Sequence, residues 1–337
     1  MFFYIIKRLL LAGATLFAIL FASYAMLRLA PGDPTRSNLF GSDSAGSAVD
    51  AEKGGLMRNT ALREKLDLDK PIIIGFSRWF SRVLKGDFGE SAAVDPGKPV
   101  VDMIWERLPV TVSLNVWAVL ITYLLAIPIG VWSGTHAGSS GDKITEILLF
   151  ALYSLPVMWV GLMLQALLCE GGWKAVFPLH GLTVPDPDNY SIWRLQLEII
   201  KHYTLPVFCL AYGGFAGLSR YARASMLEVI HCDYIRTARA KGLSEFEVIW
   251  NHGFRNALIT LITLFGGLLP GLVAGSVIVE YIFNIPGMGS LSLLAMSSRD
   301  YPLQMALFAF TGFLTLSGIL LSDLLYAAAD PRIKLNR

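Results

Sequence analysis

Charged side chains are scarce in this chain of 337 residues. Asp, Glu, Lys and Arg together make up 16 %, where a soluble domain carries about a quarter. With 54 % hydrophobic residues and a mean hydropathy of +0.54, the deficit excludes an ordinary soluble domain and points to the membrane. The net charge of +2 is too small to suggest nucleic acid as a partner. Cysteine is equally sparse. Cys169, Cys209 and Cys232 are odd in number, scattered and without a CxxC pair, so no disulfide framework and no metal site is expected. The histidines (His136, His180, His202, His231, His252) form no HxxxH pair and read as loop or surface residues.

Catalytic signatures are missing too. There is no GxxxxGK[ST] phosphate loop: Gly97-Lys98-Pro99 lacks the upstream glycine and the hydroxyl residue. Neither HExxH nor GxSxG occurs, and Ser154 has no base near it in the sequence. A chain of this kind is not expected to hydrolyse ATP; an ATP-driven process would need another subunit.

What is present is a series of long apolar runs. The first, 9–27, follows Lys7 and Arg8. It is longer than the roughly 7–15 residues of a signal-peptide core and close to the roughly 20 that span a bilayer. It reads as a retained transmembrane helix with its N-terminus inside, closed by Arg28 and by Ala30-Pro31-Gly32-Asp33-Pro34. Further spans are placed near 112–132, 148–169, 203–219, 257–279 and 305–325. Six spans put both termini on the same side.

Basic residues orient the bundle. Arg220, Arg223, Arg236, Arg239, Lys241 and Arg255 crowd one loop, and Arg332, Lys334 and Arg337 the tail. The segment between the last two spans carries only Arg299, and 170–202 is intermediate with Lys174, Arg194 and Lys201. Short basic loops stay in the cytoplasm, so the 220–256 loop and the tail are expected inside. The outer segment 31–109 opens with a stretch at 37–55 rich in Gly, Ser, Ala and Asp, expected as a loop. A short charged helix at 62–68 and a second from Pro71 to about Lys85 follow. In the second, Phe76, Trp79 and Phe80 share a face, for packing on the protein's own surface or for the lipid interface.

Inside the membrane, Gly267, Gly271 and Gly275 repeat every four residues and predict one smooth helical face, with a kink from Pro270. Tight packing is the simpler reading and a gate helix the functional one. Arg28, Glu280 and Asp323 lie close to a membrane face, whereas a proton-coupled carrier needs deeper ionisable groups. Residues 280–289 are too broken to span and predict a turn or re-entrant element on the outer side.

One polar stretch is built differently from the rest. Residues 233–241 predict a helix with Arg239 and Lys241 in its last turn, and Gly242 can close it in the left-handed region. Ser244 and Glu247 have capping-box spacing, with Leu243 and Val248 placed for a hydrophobic staple. The following helix would carry Phe246, Ile249 and Trp250 on one face, with Glu245, Glu247, Asn251 and Arg255 around the rest.

Ala238-Arg239-Ala240-Lys241-Gly242, followed by His252-Gly253-Phe254-Arg255-Asn256-Ala257, resembles the EAA coupling loop of ABC-importer permeases of the dipeptide/oligopeptide type. The pattern's acidic opening residue is replaced by Arg236-Thr237-Ala238. The likeness extends to Leu66-Asp67-Leu68-Asp69-Lys70-Pro71, Gly86-Asp87-Phe88-Gly89, Arg107-Leu108-Pro109-Val110-Thr111, Pro286-Gly287-Met288-Gly289, Arg299-Asp300-Tyr301-Pro302 and Asp330-Pro331-Arg332. Leu108-Pro109-Val110, Trp117 and Gly171-Gly172 leading to Phe177-Pro178-Leu179-His180-Gly181-Leu182 are closest to the Yej-type branch, associated with oligopeptides and the peptide antibiotic microcin C.

The resemblance implies an all-α inner-membrane permease of the type I importer fold, with both termini cytoplasmic. It is divided as a first helix (1–30), an outer region (31–109), a five-helix core (110–330, coupling loop 220–256) and a tail (331–337). It implies a second homologous permease, ABC ATPase subunits that bind ATP and Mg, an extracytoplasmic peptide-binding protein and a peptide substrate. No cofactor is implied in this chain. Arg236, Ala238, Ala240, Lys241, Gly242 and Glu245 fall where the family's loop meets the ATPase. Gly267, Pro270, Gly271 and Gly275 then read as a packing, gate or subunit-interface helix. Other classes remain open from the residues alone: a proton-coupled peptide carrier, an intramembrane hydrolase using Ser154, or a scaffold subunit.

Overall fold

A computed structural model describes residues 2–30, 63–64, 67–169, 171–184, 186–258, 261, 271–272 and 275–329. The described residues are helical throughout, apart from turns and two isolated backbone bridges. The long elements are α1 (Phe2–Leu29), α2 (Ile72–Val83), α3 (Val100–Thr135), α4 (Ser140–Ser154), α5 (Val157–Leu168) and α6 (Ile192–Ile230). After them come α7 (Asp233–Ala240), α8 (Glu245–Glu247), α9 (Val277–Ile282), α10 (Met288–Ser297) and α11 (Tyr301–Ala329).

Stretches within α1 (Ile6–Leu29), α3 and α11 (Tyr301–Leu321) are long and apolar enough to cross a membrane. α3 begins well before the predicted span at 112–132. It continues through Pro109, whose missing N–H leaves a gap in the ladder that a long apolar helix tolerates.

The expectation of one continuous span over 148–169 is corrected. α4 and α5 meet at a 92° bend. Leu155 precedes Pro156 and is pushed into an extended conformation (φ −80°, ψ 126°). Its carbonyl is met by the Tyr212 hydroxyl of α6 at 2.8 Å, so the broken backbone keeps a partner. α6 itself runs well beyond the predicted 203–219, with Pro206 inside it. The predicted span at 257–279 lies largely outside the described residues. So do 37–55, residues 62, 65 and 66 of the helix predicted at 62–68 (Asp67 and Leu68 lie in a turn), the tail, Asp330-Pro331-Arg332 and the side chain of Asp323.

The chain divides into two compact units. The first joins Met1–Pro109 to Ser290–Ser317. Its core is aromatic: Phe76 and Trp79 of α2 are buried against Leu20 and Tyr24 of α1, with Met305 and Ala309 of α11. The face predicted from Phe76, Trp79 and Phe80 therefore packs on α1. Arg28 ends α1 by donating to the carbonyls of Asp67 (2.9 Å), Leu68 (2.7 Å) and Lys70 (2.7 Å). That grip holds the Asp67 turn, in which Asp67 takes a left-handed φ of 52°. In the same unit the buried Asp300 carboxylate accepts from Ser91 Oγ at 2.5 Å and from the backbone N–H groups of Ala92, Ala93 and Val94. Its other oxygen caps the start of α11 at Leu303.

The second unit is Val110–Gly289 with Gly318–Arg337. Here α3 and α6 approach closely: a Cβ at Gly130 would stand 2.5 Å from the Ser219 carbonyl and 2.6 Å from Ala222 Cβ. Ser219 Oγ donates to the Ala126 carbonyl at 3.1 Å across this contact. Near its end, Arg223 of α6 makes a two-pronged bond to the buried Asp142 of α4 (2.9 and 2.8 Å), which also accepts from Ser133 and from Gly138 N. Ser139 caps α4. The turn between α3 and α4 is thus fastened to α6.

Candidate coupling site

The polar stretch after α6 folds as a compact knuckle. α7 ends at Ala240, Lys241 is its C-cap, and Gly242 follows at φ +80°, where an L side chain is strained. Ser244 and Glu247 form the predicted capping box in both directions: Ser244 Oγ accepts from Glu247 N, and Glu247 Oε2 accepts from Ser244 N at 3.1 Å. The Ser244 hydroxyl also donates to Glu247 at 2.8 Å and holds its carboxyl below the usual glutamate range.

Two features were not readable from the sequence. Arg239 and Glu245 form a two-pronged ion pair across the glycine, Nε to Oε1 at 2.9 Å and Nη2 to Oε2 at 3.2 Å. Their spacing of six positions with a turn between matches no helical repeat, so only the left-handed turn brings them together. Second, the helix is α-helical at Glu245–Glu247 and again at 255–258, but between them Val248–Phe254 winds as a π-helix, a form that recurs at functional sites.

Of the predicted face of Phe246, Ile249 and Trp250, the Phe246 and Trp250 rings lie 6.3 Å apart, but the three are not covered alike. Ile249 and Trp250 turn inward with Phe254 onto Met226 of α6 and Val131 of α3. Phe246 is left 71 % exposed.

The predicted contact residues separate in the same way. Arg236, Ala240, Lys241, Gly242 and Glu245 are exposed. Ala238 is not: it is buried with Ile235 and Val248, against Val229 of α6. Its small side chain serves the joint between α7 and the π-helix.

The glycine face fares differently. Gly267 and Pro270 lie outside the described residues. Gly271 is exposed and a Cβ there would meet nothing within 4 Å. Gly275 lies outside the helices at φ +75°, where a Cβ would stand 2.7 Å from Gly289 N and 2.7 Å from Glu280 Oε1. The expectation of one helical face is therefore corrected at Gly275, which is a turn residue pressed against the Pro286-Gly287-Met288-Gly289 stretch. Glu280 belongs to that joint. It is buried at the start of α9, accepts from Thr111 Oγ1 at 3.0 Å, and Thr111 in turn accepts from Met288 N at 2.7 Å. Ser154 Oγ donates to the Ala151 carbonyl of its own helix at 2.8 Å.

Between α3, α6 and residues 271–272 lies a cavity of ≈ 360 Å³, bordered by Asn115, Thr122, Tyr123, Gly214, Gly217 and Tyr221 among others, with no charged side chain among its described lining residues.

A family profile described as binding-protein-dependent transport system inner membrane component matches residues 126–335, which contain the whole knuckle. The chain belongs to this family. Its members are transport subunits, and this one is a multi-pass inner-membrane permease of an ABC importer. Among its relatives, the oligopeptide transport system permease protein AppB of Bacillus subtilis is 37 % identical over 332 residues, covering 98 % of this chain and 99 % of the relative. The peptidoglycan transport system permease protein YejB of Agrobacterium fabrum is 31 % identical, covering 99 % and 98 %. The inner membrane ABC transporter permease protein YejB of Escherichia coli is also 31 % identical, covering 98 % of each. The two YejB proteins accord with the Yej-type likeness. Membership also gives the knuckle its context, a permease segment in a system that includes an ATPase and a binding protein.

Proposed function

We propose that the chain is one of two homologous permease subunits of an ATP-driven importer that carries peptides across the inner membrane. The observation that carries this reading is the knuckle: two short helices locked by Arg239 and Glu245, rooted on α6, with an outward surface of Arg236, Ala240, Lys241, Gly242 and Phe246. In this reading that surface docks on an ABC ATPase subunit, which binds the ATP and Mg. Ala238 and Glu245 keep the knuckle's shape.

When nucleotide closes the ATPase pair, the knuckle moves as a body. Ile235 and Val248 pass the motion to α6 through Val229, and Phe254 passes it to the fifth span that follows. Access to the pathway then alternates, hydrolysis resets it, and an extracytoplasmic peptide-binding protein delivers the cargo. The cavity beside α3 and α6 offers Asn115, Thr122, Tyr123 and Tyr221, polar groups suited to a peptide main chain. Six spans with both termini inside accord with the basic loop and tail. The peptide class rests on the relatives' names.

The test is mild-detergent purification of the tagged chain with its retained proteins, followed by ATPase assays in proteoliposomes with binding protein and peptide. A second permease and an ATPase should be retained, and peptide should stimulate hydrolysis. If no ATPase is captured even after cross-linking from Lys241→Cys, or if a pH gradient alone drives uptake, the reading fails.

A further inference from the structure

α2 is amphipathic in an unusual proportion. Its apolar arc runs through Ile72, Phe76, Trp79 and Val83 and continues past Phe80 to Ile73 and Leu84, just beyond the helix end. The other side carries Arg78, Ser81, Arg82 and Lys85, interrupted by Ile74, and Ser77 lies at its edge beside Leu84. α1 covers only the middle of the apolar arc. Phe76 and Trp79 are buried, whereas Ile73 is 71 % and Leu84 73 % exposed.

The depth of α2 follows from what it touches. Phe76 meets Phe17 and Phe21 edge-on with ring centroids 5.4 and 5.1 Å apart, and Phe80 meets Phe17 at 5.3 Å. Trp79 stacks on Tyr24 at 6.2 Å. Phe17, Phe21 and Tyr24 all lie within Ile6–Leu29, the membrane-crossing part of α1. A helix that packs on these residues shares their level, and what remains exposed there meets lipid. Phe17 is itself partly exposed beside Phe80, so the uncovered flank of α2 continues the lipid-facing surface of α1. Trp and Phe on one side with Lys and Arg on the other is the pattern of a helix lying in the interface plane.

We propose that α2 is a membrane-interface helix, embedded along Ile73, Phe80 and Leu84 in the outer leaflet, with Arg82 and Lys85 directed to anionic lipid phosphates. Arg78 is held instead by Asp67 at 3.1 Å. The proposal does not depend on the cargo or the energy source, because it is tested without nucleotide, peptide or binding protein.

The full chain, with its partner subunits where they are retained, is reconstituted into vesicles of phosphatidylethanolamine and phosphatidylglycerol. Ile73→Cys, Leu84→Cys and Arg78→Cys are each labelled with an environment-sensitive fluorophore in a Cys232→Ser background. All three are exposed positions, so the fold is not challenged. Nitroxide lipids should quench the probes at 73 and 84 several-fold more than aqueous iodide does, and the order should reverse at 78, on the opposite side of the helix. Iodide reaching 73 and 84 as readily as 78 would overturn the proposal. So would shielding of both from both quenchers, which would mean that a protein covers the face. Replacing phosphatidylglycerol with a neutral lipid should shift the Leu84 probe towards iodide; no shift would remove the role assigned to Arg82 and Lys85.

Discussion

Arg239 and Glu245 hold each other by two parallel hydrogen bonds, 2.9 and 3.2 Å long, on opposite sides of a glycine in the left-handed region. Both side chains are substantially open to water. An exposed pair contributes about 0–1 kcal/mol to stability, so its value lies in fixing the angle between α7 and the π-helix. Glu245→Lys should leave thermal unfolding nearly unchanged while lowering uptake per ATP hydrolysed in proteoliposomes. Exchanging the charges (Arg239→Glu with Glu245→Arg) should restore much of the loss. Equal uptake by wild type and the single variant would remove the pair from coupling.

Gly242→Val places a β-branched residue at φ +80°, at a cost of about 1–2 kcal/mol or more. The strain bends the knuckle rather than unfolding the bundle. The variant should insert normally and hydrolyse ATP without importing peptide, and Gly242→Asn, which tolerates this conformation, should be much milder. Unchanged peptide uptake by the valine variant would refute the hinge.

Asp300 is the most heavily hydrogen-bonded carboxylate described above. Asp300→Ala would remove the acceptor shared by Ser91 Oγ and the N–H groups of residues 92–94. Hydrogen bonds to a charged group contribute roughly 1.5–3 kcal/mol each and do not add, so a total loss of about 3 kcal/mol is expected. It should be read as a lower detergent melting temperature and faster proteolysis at 91–94. Ser91→Ala removes one donor and should cost far less.

Asp67 offers a test by pH. The Lys70 ammonium, first, and then Arg78 hold its carboxyl below the ordinary value of 3.8. A depressed carboxyl stabilises the fold fully above its unfolded value and loses that contribution as pH falls through the lower, folded one. The turn should therefore keep its protection against hydrogen exchange down to about pH 4 and loosen only below it. Asp67→Asn, which keeps the left-handed preference but removes the charge, should show the loosened turn at neutral pH. Because Arg28 still grips the carbonyls, the change should stay local.

Much of the knuckle was legible because its parts are short-range. A glycine after a basic helical turn and a Ser–Glu pair three apart have single low-energy solutions. What was illegible depended on partners distant in sequence or on a change of helical winding. Ala238 looks like a surface alanine until Val229 and Val248 close over it. The π-turn, which a repeat of 3.6 cannot foresee, brings Ile249 and Trp250 onto Met226 and Val131 while the Trp250 ring stays 6.3 Å from that of Phe246. Gly275 matches a helical glycine stripe by spacing, and only its contact with Gly289 shows that the chain has turned there. The bend at Leu155 was signalled by Pro156, but a proline within an apolar run can kink a helix or break it. Tyr212, far along the chain, accommodates the break.

That break bears on how the chain crosses the bilayer. At about 1.5 Å per residue, α4 is roughly 22 Å long and α5 roughly 18 Å, both short of the roughly 30 Å hydrocarbon layer. Neither limb is a finished span by itself, and the carbonyl at the corner takes its hydroxyl from a residue 57 positions along the chain. The corner is therefore complete only with α6 alongside.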